Sequence, residues 1–178
     1  MKQISSSAYA NSARALLWNT HHDQPEARRI AVAALLNQQL ADVLDLGLQA
    51  KQAHWNVKGP QFAALHELFD EAAHTLAELA DELAERAVVL GGVARGTLQS
   101  LAKNSRLESY PLEAFAGGDH VWALSSALAR LAQSSRAAIK TADQLEDDGS
   151  TDVLTQVSRA IDKLLWKVEA HVALEPRN

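Results

Sequence analysis

Between the turn Asn56-Val57-Lys58-Gly59-Pro60 and the pair Gly91-Gly92, the chain runs without a glycine or proline. The segment QFAALHELFDEAAHTLAELADELAERAVVL is about thirty residues, a helix of roughly 45 Å at 1.5 Å per residue. Two pairs of metal-ligating residue types lie along it, His66 with Asp70 and Asp81 with Glu85. Members of each pair are four apart and share a helix face, so each pair can hold one ion.

Helical geometry restricts where such a site lies. At about 100° per residue, with His66 at zero, Asp70, Asp81 and Glu85 fall at roughly 40°, 60° and 100°. Leu65, Leu68, Phe69, Leu76, Leu79, Leu83 and Leu90 fall between about 200° and 300°, on the opposite side. The potential ligands therefore point away from the chain's own core. His66 and Asp81 are also roughly 22 Å apart along the axis, while metal–ligand bonds are about 2 Å. One straight helix cannot bring the two pairs to one ion. A second copy packed antiparallel can, crossing near residues 73 to 77, where Ala73 and Ala77 are small. Twofold symmetry then gives two equal sites between subunits. The spacing alone leaves the bland alternative open: an acidic helix is commonly a solvated face, with Glu82 and Arg86 as an ordinary i,i+4 pair. Glu71-x-x-His74 has the spacing of di-iron bundle motifs, but that design needs two such motifs and further glutamates in the core. Glu71 and His74 read as surface or interface residues.

The run HWNVKG at His54–Gly59, the His twelve residues after His54, the Asp four later, D-x-x-x-E, Arg86-Ala87-Val88 and Leu90-Gly91-Gly92 resemble the Dps family (DNA protection during starvation) of ferritin-like proteins. SYPLE at Ser109–Glu113 and DKLLW at Asp162–Trp166 fit as well, so the similarity spans about residues 30 to 172. The resemblance implies a hollow dodecamer that oxidises Fe2+, preferably with hydrogen peroxide, and stores ferric mineral: a ferroxidase with iron as its metal. It implies His54, His66 and Asp70 from one subunit and Asp81 and Glu85 from its neighbour as the iron site. His54 by itself reads as a capping or surface histidine, and only the motif makes it a ligand. Trp55 reads most simply as an interface aromatic; the resemblance adds a sacrificial electron donor near iron.

Composition agrees with a single all-α domain. The chain has 178 residues, 47% hydrophobic, with only 8 Gly and 4 Pro, which disfavours a sandwich or barrel. There is no cysteine, so any metal is held by nitrogen and oxygen. The early apolar run Ala31–Leu36 is too short for a membrane span, and the start lacks the apolar core of a signal peptide; a cytoplasmic protein is expected. The formal charge is −5, yet residues 1–22 carry Lys2 and Arg14 and no acid, leaving −7 on the remainder.

In chain order, residues 1–24 read as a partly disordered arm, with Leu16, Leu17 and Trp18 packing on the body or a neighbour. His21-His22 reads as an exposed polar pair. Residues 25–178 read as a ferritin-like four-helix bundle. Its first helix runs from Pro25 to Asn56, and a short helical segment at Thr97–Lys103 lies in the long connection between helices two and three. The third helix is expected from Asp119 to about Glu146, and the fourth from an N-cap at Ser150 or Thr151. The connection permits the crossover that ferritin-like bundles require. Glu146-Asp147-Asp148-Gly149 and Asp152 form an acidic turn, favoured near a helix start. The resemblance implies an acidic threefold channel here, with Asp148 and Asp152 lining a pore that concentrates Fe2+. A rival function is DNA binding through twelve copies of the basic arm, although so few lysines and an acidic body disfavour strong binding.

Overall fold

The structure, a computed structural model, describes residues 17–172. Five helices follow one another: α1 Glu26–Asn56, α2 Phe62–Val89, α3 Leu98–Asn104, α4 Gly117–Gln144 and α5 Asp148–Glu169. Among the described residues the only other regular pairing is a single parallel bridge between Lys58 and Ala116. The chain is an all-helical, ferritin-like bundle, as the sequence implies. Among the described residues, no helix is long and apolar enough to cross a membrane.

Each of the long helices starts and stops for local reasons. Pro25, with φ −55° and ψ 140°, precedes α1, where its missing N–H costs nothing. Gly59, at φ 107°, turns the chain before α2. At the far end of α2, Gly91 adopts φ 83°. Gly91 N–H donates to Val88 O at 2.8 Å and Gly92 N–H to Ala87 O at 2.9 Å, a glycine-terminated helix end. A Cβ on Gly92 would lie 2.8 Å from both Ala33 Cβ and the backbone oxygen of Ala87, neither of which can swing aside. Gly92→Ala is therefore expected to destabilise the fold by about 1–3 kcal/mol, read from chemical unfolding at fixed protein concentration.

The apolar stripe of α2 faces inward as its period requires: Leu65, Leu68, Phe69, Leu76, Leu79, Leu83 and Leu90 are all buried. They meet Leu36, Leu40 and Val43 from α1, Leu124, Leu128 and Leu131 from α4, and Leu154, Val157 and Ile161 from α5 in one continuous core. The helices pair as α1 with α2 and α4 with α5, and the pairs close through α1–α4 and α2–α5. Contacts between α2 and α5 join Glu71 to Lys167 at 2.5 Å, Glu82 to Gln156 at 3.2 Å and Arg86 to Ser150 at 2.9 Å. Rising numbers on one helix match falling numbers on the other, so α2 and α5 are antiparallel, and α4 runs parallel to α2. That parallel step is why residues 90–116 must cross the length of the bundle.

A polar edge of α1 guides the crossover. Gln38, Asp42, Asp45 and Gln49 recur at helical spacing along one side of α1. Gln38 Nε2 donates to Asn104 O at 2.9 Å and Gln49 Nε2 to Glu108 O at 3.1 Å. Buried Asp42 accepts from Arg106 N at 2.9 Å and Arg106 Nε at 3.0 Å, and Ser105 Oγ donates to Asp45. The crossover backbone is satisfied by side chains rather than by a ladder.

Four details differ from the sequence expectation. Helix α4 starts at Gly117, before Asp119, because Asp119 Oδ2 accepts from Ala116 N at 3.0 Å and so occupies the third helical position. The cap of α5 is Asp147, not Ser150 or Thr151: its carboxylate accepts from Ser150 N at 3.1 Å and Ser150 Oγ at 3.0 Å. Arg86 does not pair with Glu82; its Nη2 reaches Asp147 at 2.7 Å. His22 is part-buried rather than exposed, and its Nδ1 accepts from Gln24 N at 3.4 Å. Of the N-terminal arm, residues 1–16, including Lys2, Arg14 and Leu16, lie outside the described residues. Leu17 is half-buried, while Trp18 leaves its indole exposed and donates its backbone N–H to Gly91 O at 2.7 Å.

Candidate metal centre

Three of the five expected ligands come together where the end of α1 meets the start of α2. The rings of His54 and His66 stack with centroids 3.7 Å apart and an interplanar angle of 21°. Their backbone bonds are reciprocal: His54 Nδ1 lies 2.7 Å from His66 O, and His66 Nδ1 lies 2.7 Å from His54 O. A carbonyl only accepts, so each Nδ1 carries the proton, and in the neutral rings each Nε2 keeps its lone pair. Bonding of this kind orients histidines for metal ligation. His54 Nε2 is 3.9 Å from Asp70 Oδ1, and Phe62 stacks on the other side of His66 with centroids 4.9 Å apart.

Lys51, one turn before His54 on α1, donates to Asp70 Oδ1 at 2.5 Å. That hydrogen bond, helped by the charge of Lys51 and opposed by partial desolvation, holds the Asp70 carboxyl below its ordinary value of 3.8. The carboxylate is thus ionised and already matched with a cation. Sequence reasoning missed Lys51; the signal was its place three residues before His54, on the same face of α1.

Asp81 and Glu85 lie further along α2, both exposed. They do not join the first three within one chain. Among the described residues, no group of three or more His, Cys, Asp or Glu in the single chain is arranged to hold a metal ion. Next to the site is an apolar groove of about 460 Å3 between α1 and α2, bordered by Val43, Leu44, Leu48, Ala73, Leu76 and Ala77. Ala73 and Ala77 are the small residues at the expected crossing point. Glu71 and His74 are surface residues, as read from the sequence: Glu71 pairs with Lys167, and His74 Nδ1 lies 2.9 Å from Asp70 O. Asp148 and Asp152 are exposed at the start of α5, while the neighbouring Asp147 is fully buried.

The family model for the ferritin-like domain matches residues 33–177. A DNA protection during starvation protein from Agrobacterium fabrum is 43% identical over 153 residues, covering 86% of this chain and 94% of the relative. The chain belongs to the Dps family. Among solved structures, a Mycobacterium smegmatis Dps superposes with a TM-score of 0.82 at 32% identity, over 86% of this chain and 94% of that one. DpsC from Streptomyces coelicolor gives 0.85 at 28% identity, over 91% and 95%. Membership of this ferritin-like family supports a role in iron storage and protection.

Proposed function

We propose that the protein is a ferroxidase of a hollow homo-oligomer, a dodecamer, with its iron site shared across a twofold interface. The observation that carries this is the ligand cluster: two histidines with Nδ1 committed to backbone carbonyls and Nε2 available, beside an ionised Asp70, on a face turned from the core. His54, His66 and Asp70 of one subunit supply half of the site, and Asp81 and Glu85 of another supply the rest. The set is imidazole and carboxylate, which suits Fe2+ and Fe3+. Four tryptophans (Trp18, Trp55, Trp122 and Trp166) are exposed, and their indoles are apolar surface available to neighbouring subunits. The groove beside Ala73 and Ala77 offers a twofold mate a close approach.

In this reading Fe2+ is the substrate. It enters past Asp148 and Asp152, where three copies of the exposed start of α5 form a negative channel. At the shared site, hydrogen peroxide accepts one electron from each of two Fe2+ ions; with two protons it becomes two waters, and two Fe3+ pass inward as mineral. A two-electron route avoids releasing hydroxyl radical. Lys51 must give up Asp70 as iron arrives, so the site exchanges one cation for another rather than opening a bare carboxylate.

The test follows Fe2+ oxidation optically with peroxide in slight deficit, together with the particle's solution mass. Rapid stoichiometric oxidation by a particle of about twelve subunits is expected. Oxidation by a monomer would overturn the shared site.

A second reading, nucleoid binding by the basic arm, is favoured by Lys2 and Arg14 ahead of an acidic body. The arm is weak singly and acts only through avidity. A gel shift at low salt that vanishes on deleting residues 1 to 20 would support it; unshifted DNA with the full-length protein removes it.

A further inference from the structure

Behind the ligand cluster lies a pair of groups that the iron reading does not use. Tyr110, at the end of the crossover, places its hydroxyl 2.5 Å from Nδ1 of His120, in the first turn of α4. The two rings stack with centroids 6.1 Å apart. His120 is fully buried, and its Nε2 has no hydrogen-bond partner. A buried unpartnered polar atom calls for an explanation, a redox role among them.

The pair also has a direction. Burial lowers the pKa of His120, while the charge of Asp119 and the backbones of Asn56 and Phe115 act the other way. With Nδ1 as the unprotonated ring nitrogen, Tyr110 Oη–H donates to it. Burial pushes the phenol's own pKa well above its ordinary value, with the charge of Asp119 adding to it. Tyr110 therefore keeps its proton until something removes an electron. The two chain segments that carry the expected ligands pass beside the pair. Asn56 is two residues past His54, and the ring of Phe69, the residue before Asp70, is 6.4 Å from the His120 ring.

We propose that Tyr110 and His120 form a redox-active pair: Tyr110 gives up an electron to a one-electron oxidant formed at the iron site while its proton moves to His120 Nδ1. This rests on the iron reading for its oxidant. A lone Fe2+ that cleaves peroxide yields Fe3+, hydroxide and hydroxyl radical. Tyr110 supplies one electron to that radical, which with a proton becomes water. The O–H bond of Tyr110 breaks, its proton sits on Nδ1, and a neutral tyrosyl radical remains. A second Fe2+ returns the electron, the proton returns from Nδ1, and that ion leaves as Fe3+. The stray one-electron event is thereby converted into ordinary iron oxidation, without damage to the chain.

The sequence makes the test clean, because the chain has two tyrosines, Tyr9 and Tyr110. In full-length Tyr9→Phe protein, electron paramagnetic resonance is recorded after freeze-quenching with Fe2+ and peroxide. A parallel sample uses flash photo-oxidation by a ruthenium tris-bipyridyl complex with persulfate, which needs no iron. A tyrosyl signal is expected in both, with a hydrogen-bond coupling that changes on exchange into D2O. The signal should vanish in the Tyr9→Phe/Tyr110→Phe protein. Loss of the signal only in the iron sample, with no Fe3+ formed, would count against the iron reading and leave the pair standing. Two results would overturn the proposal: tryptophan radicals alone in the photo-oxidised sample, or a tyrosyl signal blind to D2O. Either would reduce Tyr110 to a structural clamp on α4.

Discussion

Replacing His66 and Asp70 together by Ala is expected to slow peroxide-driven Fe2+ oxidation by more than the roughly 10- to 100-fold that loss of an outer partner costs. The two side chains contribute an Nε2 lone pair and an ionised carboxylate, and neither is buried in the core, so the fold should persist. Full activity in this variant would sink the site assignment. Asp81→Ala with Glu85→Ala should cost a similar amount, although these residues lie far from His66 within one chain. The stronger result comes from mixing the two double variants. In a twofold pair with one of each, one site loses both halves and the other keeps both. After unfolding, mixing equal amounts and reassembling, about a quarter of all sites are expected to be intact, from two preparations that are each inactive. No recovery in well-formed mixed particles would place all the ligands in one chain.

The largest stability effect is expected at Asp147. Its carboxylate is fully buried, pairs with Arg86 Nη2 at 2.7 Å and caps α5 through Ser150 N at 3.1 Å. Removing one partner of a buried ion pair leaves the other charge uncompensated, so Asp147→Ala should cost about 3–5 kcal/mol. The measurement is urea unfolding at one protein concentration, since assembly adds its own stability. A loss below about 1 kcal/mol would mean that Arg86 finds solvent instead, as in an exposed pair. The acid response follows from the same contacts. Desolvation raises the Asp147 pKa, but the Ser150 and Arg86 contacts outweigh it and leave the group below its ordinary 3.8. A carboxyl depressed in the folded state stabilises fully above the unfolded value and loses that contribution as pH falls through the folded one. The wild type should therefore lose stability below about pH 3.8, with Asp147→Asn showing a shallower slope there.

The two regions were unequally legible in the sequence. The face of expected ligands was readable because His66, Asp70, Asp81 and Glu85 sit on one helix, where the angle between side chains follows from number alone. The Arg86–Asp147 pair was not. Arg86 had a plausible partner one turn away in Glu82, and Asp147 sat in a turn where acids are common. Only the packing of α2 against α5 put the arginine next to the cap and took the aspartate out of water. The start of α4 was misplaced for a similar reason. Gly117-Gly118 read as a break, but Asp119 satisfies the backbone N–H ahead of the two glycines and lets the helix begin there.

The sequence by itself determined the all-helical class, the positions of the long helices, the inward stripe of α2 and the outward direction of its acids, because these depend on periods of a few residues. Its HWNVKG motif also carried the family. The tertiary structure alone decided which side chains meet across helices: the stack of His54 on His66, Lys51 at Asp70, the α1 edge that carries the crossover, and Tyr110 against His120. Those contacts join residues from 10 to 66 positions apart. Their partners are chosen by how rigid helices pack, and no local period records that choice.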